Sequence, residues 1–263
     1  MDLGLKERVA LVAAASRGLG HAVAAELAAE GASLILCARG AETLDKVAEK
    51  MQRETNVPIM AIAGDVAKAE DVKRIVDAGL KRFGHIDVLV TNAGGPPAGR
   101  FENLSGSDWD AAVSLTLKSV LELTRAVLPG MKERRWGRIL NVTSIAVKQP
   151  VDNLILSNSL RAAVTGFART LANEVAPFCI TVNNILPGYT RTDRVEELAR
   201  AISESEGISE AEARSRWETQ IPMGRLGEPR EFAALAAFLA SERASYITGT
   251  SITVDGGWVK SLL

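Results

Sequence analysis

The chain has 263 residues, with 31 Lys and Arg against 32 Asp and Glu, a formal net charge of −1 and 47% hydrophobic residues. A balance so close to neutral excludes the basic excess that a nucleic-acid or anionic-membrane surface needs, and the length is enough to bury a full core. The only cysteines, Cys37 and Cys179, stand far apart in no metal-ligand spacing, which argues against a metal site or disulfide framework and for a reducing, cytoplasmic setting.

The first apolar run is too short for a signal segment, and no window approaches the length of a membrane span. Short apolar runs at 9–13, 33–37, 58–62, 88–91, 138–142, 181–186 and 251–254 alternate with amphipathic stretches at 19–30, 41–54, 68–83, 108–134, 154–176 and 229–240. Continuous apolar strands between amphipathic helices imply a parallel sheet covered on both faces. The pattern predicts an α/β fold: one doubly wound domain over residues 1–263, built on seven parallel strands. One segment, 193–220, breaks the rhythm; it is charged, helix-favouring and interrupted at Gly207, and reads as a helical lid over the strand ends or as a solvated insertion.

After the first run comes Ala13-Ala14-Ala15-Ser16-Arg17-Gly18-Leu19-Gly20 and then a helix. Glycines at a strand-to-helix turn let the backbone approach a pyrophosphate, whose charge the helix N-terminus favours, although Ala14 occupies the first glycine position. The second strand ends in Cys37-Ala38-Arg39, with no acid to hold the ribose of NAD. Arg17 and Arg39 instead suit a 2′-phosphate, so NADP(H) is expected over NAD(H). Asp65-Val66 and Asn92-Ala93-Gly94-Gly95 place small or polar groups at the next two strand ends, where adenine and ribose fit. Further along, Ser144 closes an apolar run, and Ser157 and Arg161 stand one turn apart on one helix face.

With ASRGLG at 15–20, Asp65-Val66, NAG at 92–94, GRILNVTS at 137–144, Pro187-Gly188, IPMGRLGEP at 221–229 and YITGTSITVDGG at 246–257, the chain resembles the short-chain dehydrogenase/reductase family. Within it, the resemblance is to the 3-oxoacyl-[acyl-carrier-protein] reductase-like members, over nearly the whole length. It implies a Rossmann fold, a nicotinamide cofactor and a homotetramer, more than a dimer, formed through the long helices and the C-terminal strand. The cofactor-binding positions it implies are Ala14, Ser16, Arg17, Gly18, Leu19 and Gly20, then Arg39, Asp65 and Val66, then Asn92, Ala93 and Gly94. Arg161, Pro187, Gly188, Thr190 and Thr192 complete them, the last four beside the nicotinamide amide.

The resemblance also exposes departures. Members usually carry an Asn, a Ser, a Tyr and a Lys; here those positions hold Thr116, Ser144, Ser157 and Arg161. A phenol with a pKa of ~10 comes within reach of neutral pH beside a cation, whereas a serine hydroxyl is a poor general acid and an arginine does not relay protons. Ser144 remains as the group that polarises a carbonyl, Arg161 as a cofactor anchor and Ser157 as a residue lining the site. Tyr189 and Lys148 are the candidate replacement proton donors. The expected function is an NADP(H)-dependent oxidoreductase acting on a carbonyl or alcohol of a small molecule; the alternative is a non-catalytic dinucleotide-binding protein of the same fold.

Overall fold

The computed structural model describes residues 2–262. Each of the seven apolar runs forms a strand: β1 (Val9–Ala13), β2 (Ser33–Ala38), β3 (Ile59–Ala63), β4 (Val88–Thr91), β5 (Gly137–Val142), β6 (Ile180–Pro187) and β7 (Ser251–Val254). They pair in parallel in the order β3-β2-β1-β4-β5-β6-β7. The helices are α1 (Gly18–Ala29), α2 (Ala41–Thr55), α3 (Ala69–Phe83), α4 (Gly106–Val113), α5 (Ser119–Arg134), α6 (Ile155–Val175), α7 (Asp193–Glu206), α8 (Glu210–Gln220) and α9 (Pro229–Ala240).

The strands read as continuous apolar runs because their alternate residues enter different cores. In β1, Ala10 and Val12 pack with Val23 and Leu27 of α1 and Phe232 of α9. Val9, Leu11 and Ala13 face the other way, into a core with Ile75 of α3, Leu123 of α5 and Leu171 of α6. Strand order reverses beside β1, where β2 leaves in one direction and β4 in the other. That reversal opens a crevice at the carboxyl ends of the strands, the place where doubly wound sheets bind ligands.

The stretch 108–134 is not the single helix its pattern suggests. A π-helical turn, Ser114–Lys118, separates α4 from α5. The buried residues Ala112, Thr116 and Val120 step by four, which drifts off a 3.6-residue period, and the wider turn absorbs the drift. In α6, Leu156, Leu160, Val164, Ala168 and Leu171 are buried, while Ala163 is exposed and Phe167 half-buried, so the broad apolar surface divides into a core stripe and an outer face. The segment 193–220 folds as α7 and α8, hinged at Gly207, whose φ of 70° suits a residue without a Cβ. Val195, Ala199, Ala213 and Trp217 from these helices form a separate apolar cluster with Ile145 and Trp258.

One polar row crosses the sheet on its α5 and α6 side. Thr91, Asn141, Asn184 and Ser251 occupy paired register positions on β4, β5, β6 and β7. Thr91 Oγ1 donates to Asn141 Oδ1 at 2.8 Å, Asn141 Nδ2 to Asn184 Oδ1 at 3.1 Å, and Asn184 Nδ2 to Ser251 Oγ at 3.0 Å. A buried amide is tolerated only when its donors and acceptors are satisfied, and the row satisfies them across four strands.

Candidate active site

The crevice is a cavity of about 890 Å³ running along the carboxyl ends of β1 to β6. At one end lies the turn after β1. Ala14 adopts a left-handed conformation with φ of 51°, which the family's glycine would take without strain. The N-terminus of α1 has no side-chain cap, so its first N–H groups are available to an anion, and Ser16, Arg17, Gly18 and Leu19 line the wall there. Gly20 does not line the cavity: a Cβ on it would fall 2.3 Å from Ala14 O and 2.8 Å from Asn92 Nδ2, so its role is close packing of α1 on the sheet.

Arg39 is exposed at the end of β2 and also lines the cavity, with no carboxylate within ion-pair distance among the described residues. Arg17 pairs with Asp193 of α7 at 3.1 Å, both side chains well exposed, and such a surface pair is weak enough to exchange for a phosphate. Asp65 and Val66 form the wall after β3, where Asp65 Oδ1 accepts from Ala67 N at 3.0 Å. Asn92, Ala93 and Gly94 follow β4; a Cβ on Gly94 would meet nothing within 4 Å, leaving the backbone open to a ligand. An uncapped helix start, an unpaired arginine and open glycine backbone in one long cavity fit an anionic dinucleotide.

At the other end the structure brings Ser144, Ser157 and Arg161 together. Ser144 caps a short 3₁₀ turn after β5, its Oγ accepting from Ala146 N at 3.1 Å. Ser157 is buried in the first turn of α6, and its Oγ accepts from Arg161 Nε at 3.2 Å. In both serines a protein N–H occupies an oxygen lone pair and leaves the O–H free to donate. Arg161 also donates through Nη1 to Val142 O at 2.9 Å, which ties α6 to the end of β5. Burial, and secondarily the charge of Arg194, push the Arg161 pKa from the ordinary 12.5 down to about 10, so it is a cation at neutral pH.

Pro187, Gly188, Thr190 and Thr192 line the wall after β6. Tyr189 lies there too, but its ring is stacked on Trp217 at 4.8 Å and meets Trp258 edge-on at 5.9 Å. Burial and the nearby Asp152 carboxylate raise its pKa. Lys148, at the end of the 3₁₀ turn, is half-buried and not among the residues lining the cavity. Thr116 sits on the π turn behind Arg161, buried, with an Oγ1 that has no hydrogen-bond partner. It faces a second small space of about 10 Å³, room for about one water, shared with Asn92, Ser119 and Arg161. Two groups in the cleft escape sequence reasoning: Arg194, which reads as one more charge in a charged helix, and Leu154, Val195 and Leu198, which form its apolar wall.

A parallel seven-stranded sheet with a dinucleotide-shaped crevice, and a Ser just beyond the end of β5, define a nicotinamide-type oxidoreductase fold. Residues 13–259 match the family model described as Enoyl-(Acyl carrier protein) reductase. The chain is 32% identical over 259 residues to the NADPH-dependent reductase BacG of Bacillus subtilis, covering 98% of this chain and 100% of that protein. It is 35% identical over 255 residues to the 3-oxoacyl-[acyl-carrier-protein] reductase FabG of Vibrio cholerae, covering 97% and 98%. L-sorbose reductase from Gluconobacter frateurii, solved with NADPH and L-sorbose, superposes with a TM-score of 0.95 at 33% identity and covers 100% of both chains. The chain belongs to the short-chain dehydrogenase/reductase family.

Proposed function

We propose that the protein is an NADP(H)-dependent oxidoreductase that interconverts a small carbonyl compound and its alcohol. The observation that carries this reading is the arrangement of one cavity: Arg17 after β1 and Arg39 after β2 at one end, and Ser144, Ser157 and Arg161 beyond the end of β5 at the other. The relatives support it, since NADPH is named for BacG and for the sorbose reductase complex. Arg17 and Arg39 take the 2′-phosphate, the α1 N-terminus the pyrophosphate, Asp65 and Val66 the adenine, Asn92 to Gly94 and Arg161 the ribose, and Pro187 to Thr192 the nicotinamide amide.

When bound, the nicotinamide supplies or accepts a hydride at the carbonyl carbon. Ser144 and Ser157 direct their free O–H groups at the carbonyl oxygen, and Arg161 stabilises the negative charge that grows there. Ser157 replaces the family's tyrosine as the group nearest that oxygen. Its hydroxyl donates a hydrogen bond as the alkoxide forms, and the proton that completes the alcohol comes from solvent water, because a serine hydroxyl is a poor general acid. Tyr189, with its raised pKa and stacked ring, serves as wall, and Lys148 lies outside it, so Tyr189→Phe and Lys148→Met should each retain kcat.

Two measurements test the reading. NADPH should bind at least tenfold tighter than NADH by titration, and equal affinity would remove the roles of Arg17 and Arg39. Purified protein with NADPH and a panel of ketones should oxidise the cofactor. Binding without oxidation across the panel would favour the non-catalytic alternative.

Residues 193–220 act as a lid in this reading, held by the Trp217 cluster over the strand ends. A cytoplasmic homotetramer fits the exposed small residues Ala162, Ala163 and Gly166 on α6 and the half-buried β7, which lies at an edge of the sheet. Light scattering at the monomer mass would refute the assembly. Among the described residues no helix is long and apolar enough to cross a membrane.

A further inference from the structure

Arg194, in the first turn of α7, reaches back across the cleft to the segment after β4. Its Nη2 donates to Pro96 O at 2.9 Å. The guanidinium lies flat on Gly95, where a Cβ would stand 3.2 Å from Nε, 3.3 Å from Nη2 and 3.4 Å from Cζ. A Cβ there would require the guanidinium to give by a few tenths of an ångström. Among the described residues its single carboxylate neighbour within ion-pair range is Glu197, 3.7 Å from Nη1 and about half-exposed at 51%.

The charges around it do not balance. Arg161 lines the same end of the cavity, close enough to Arg194 for the two to repel, and no carboxylate lies within ion-pair distance of Arg161 among the described residues. Of the other acids on the cavity wall, Asp65 lies at the far end and Asp193 pairs with Arg17, a contact that a cofactor phosphate on Arg17 would release. The N-terminus of α7 opens on the same space without a side-chain cap, its dipole offset by Asp193 and Glu196 in the first turn. Around these cations the wall is apolar, from Ile145, Val151, Leu154, Val195 and Leu198. Two guanidiniums at the apolar end of a cleft raise the affinity of the site for an anion.

We propose that the substrate carries a carboxylate, that it is a short 2- or 3-oxo acid, and that Arg194 is the residue that selects it. The fork seated on Gly95 and Pro96 holds the carboxylate, and the reacting carbonyl lies toward Ser144 and Ser157. This rests on the oxidoreductase reading of the site.

The test compares acetoacetate and 2-oxobutanoate with their methyl esters. The wild-type protein should prefer each acid over its ester in kcat/KM by at least tenfold. A charge-assisted hydrogen bond contributes about 1.5–3 kcal/mol, so Arg194→Met should reduce that acid-to-ester ratio by about 10- to 150-fold, chiefly through KM for the acid. Arg194→Lys should restore part of the ratio. Gly95→Ala, whose Cβ shifts the guanidinium by a few tenths of an ångström, should lower the ratio less than Arg194→Met does. An unchanged ratio overturns the proposal, as does a loss that appears only as weaker NADPH binding, which would assign Arg194 to a cofactor phosphate. A readout without turnover separates this from the parent reading: isobutyrate, but not isobutyramide, should bind the protein–NADP⁺ complex by calorimetry and fail to bind Arg194→Met. Binding of both alike overturns the carboxylate site even if no ketone is reduced; absence of turnover with selective isobutyrate binding overturns only the oxidoreductase reading.

Discussion

The polar row through the sheet makes a prediction whose size follows from the geometry. Asn141→Leu keeps the branched shape of the side chain, though it is larger, and removes both of the hydrogen bonds to Thr91 and Asn184. It leaves the Thr91 hydroxyl and the Asn184 carbonyl oxygen without their partners, in residues that are 2% and 1% exposed. Leaving a buried polar group unsatisfied costs about 1–3 kcal/mol, so two groups cost about 2–6 kcal/mol. Urea unfolding followed by tryptophan fluorescence should show the midpoint fall at constant slope, because the surface exposed on unfolding is unchanged. A second substitution sharpens the argument. Thr91→Val in the Asn141→Leu background removes the orphaned donor, so the double variant should be more stable than Asn141→Leu by about 1–3 kcal/mol. A loss below about 0.5 kcal/mol for Asn141→Leu, or a further loss on adding Thr91→Val, would refute the row as a stabilising unit.

Three more expectations concern the cleft. Ser144→Ala removes a donor aimed at the carbonyl oxygen and should lower kcat by about 10²- to 10³-fold with cofactor affinity retained; a smaller change in steady-state kinetics would give the polarising role to Ser157 alone. Ala14→Gly relieves a left-handed alanine and should raise stability by up to about 1 kcal/mol in the same urea assay, with a lowered midpoint counting against strain at that turn. Arg161 has a folded pKa of about 10 against an ordinary 12.5, so its charge is present at neutral pH and is lost as pH rises through about 10. Between those values the unfolded chain holds the extra proton, and the cost of burying the charge fades as pH rises. The alkaline limb of kcat/KM should therefore lie near pH 10, and in Arg161→Lys it should move lower, because a lysine starts near 10.4 and meets the same burial; superimposable limbs would exclude Arg161 from the titration.

Much of the fold was legible because burial on two faces leaves a plain mark: β1 and β4 are apolar at almost every position, and their short length between amphipathic helices points to buried strands. The π turn at Ser114–Lys118 left no such mark, since steps of four and of 3.6 diverge too little over three positions. Asn141 and Asn184 read as polar interruptions of strands; only the register, which places them opposite one another, turns them into partners. In the cleft, Ser144, Ser157 and Arg161 were found by counting along one strand, loop and helix, and local spacing sufficed. Arg194 was not found, because its partner at Pro96 is a backbone carbonyl 98 positions away. Lys148 stands four residues past Ser144, yet the 3₁₀ turn carries it off the cavity wall.

The exchange of a tyrosine and lysine pair for Ser157 and Arg161 is coherent as physical chemistry. A guanidinium presents five donors in one plane, and here Nη1 holds Val142 O while Nε holds Ser157 Oγ. An ammonium is a compact point donor on a narrower stem and matches that flat, two-sided contact less well. The arginine thus fills the space that a phenol would leave and fixes the serine that stands in its place. The exchange gives up an acid matched to neutral pH, whose contribution is about 10²- to 10⁴-fold. It keeps two hydroxyl donors and a cation around the oxygen that gains charge, and one such donor is worth about 10²- to 10³-fold. The retained terms are as large as the lost one. With that balance we expect turnover slower than that of a site with the tyrosine and lysine pair, and the retained donors and cation are why its geometry weighs toward an enzyme rather than toward a dinucleotide-binding protein that has lost its chemistry.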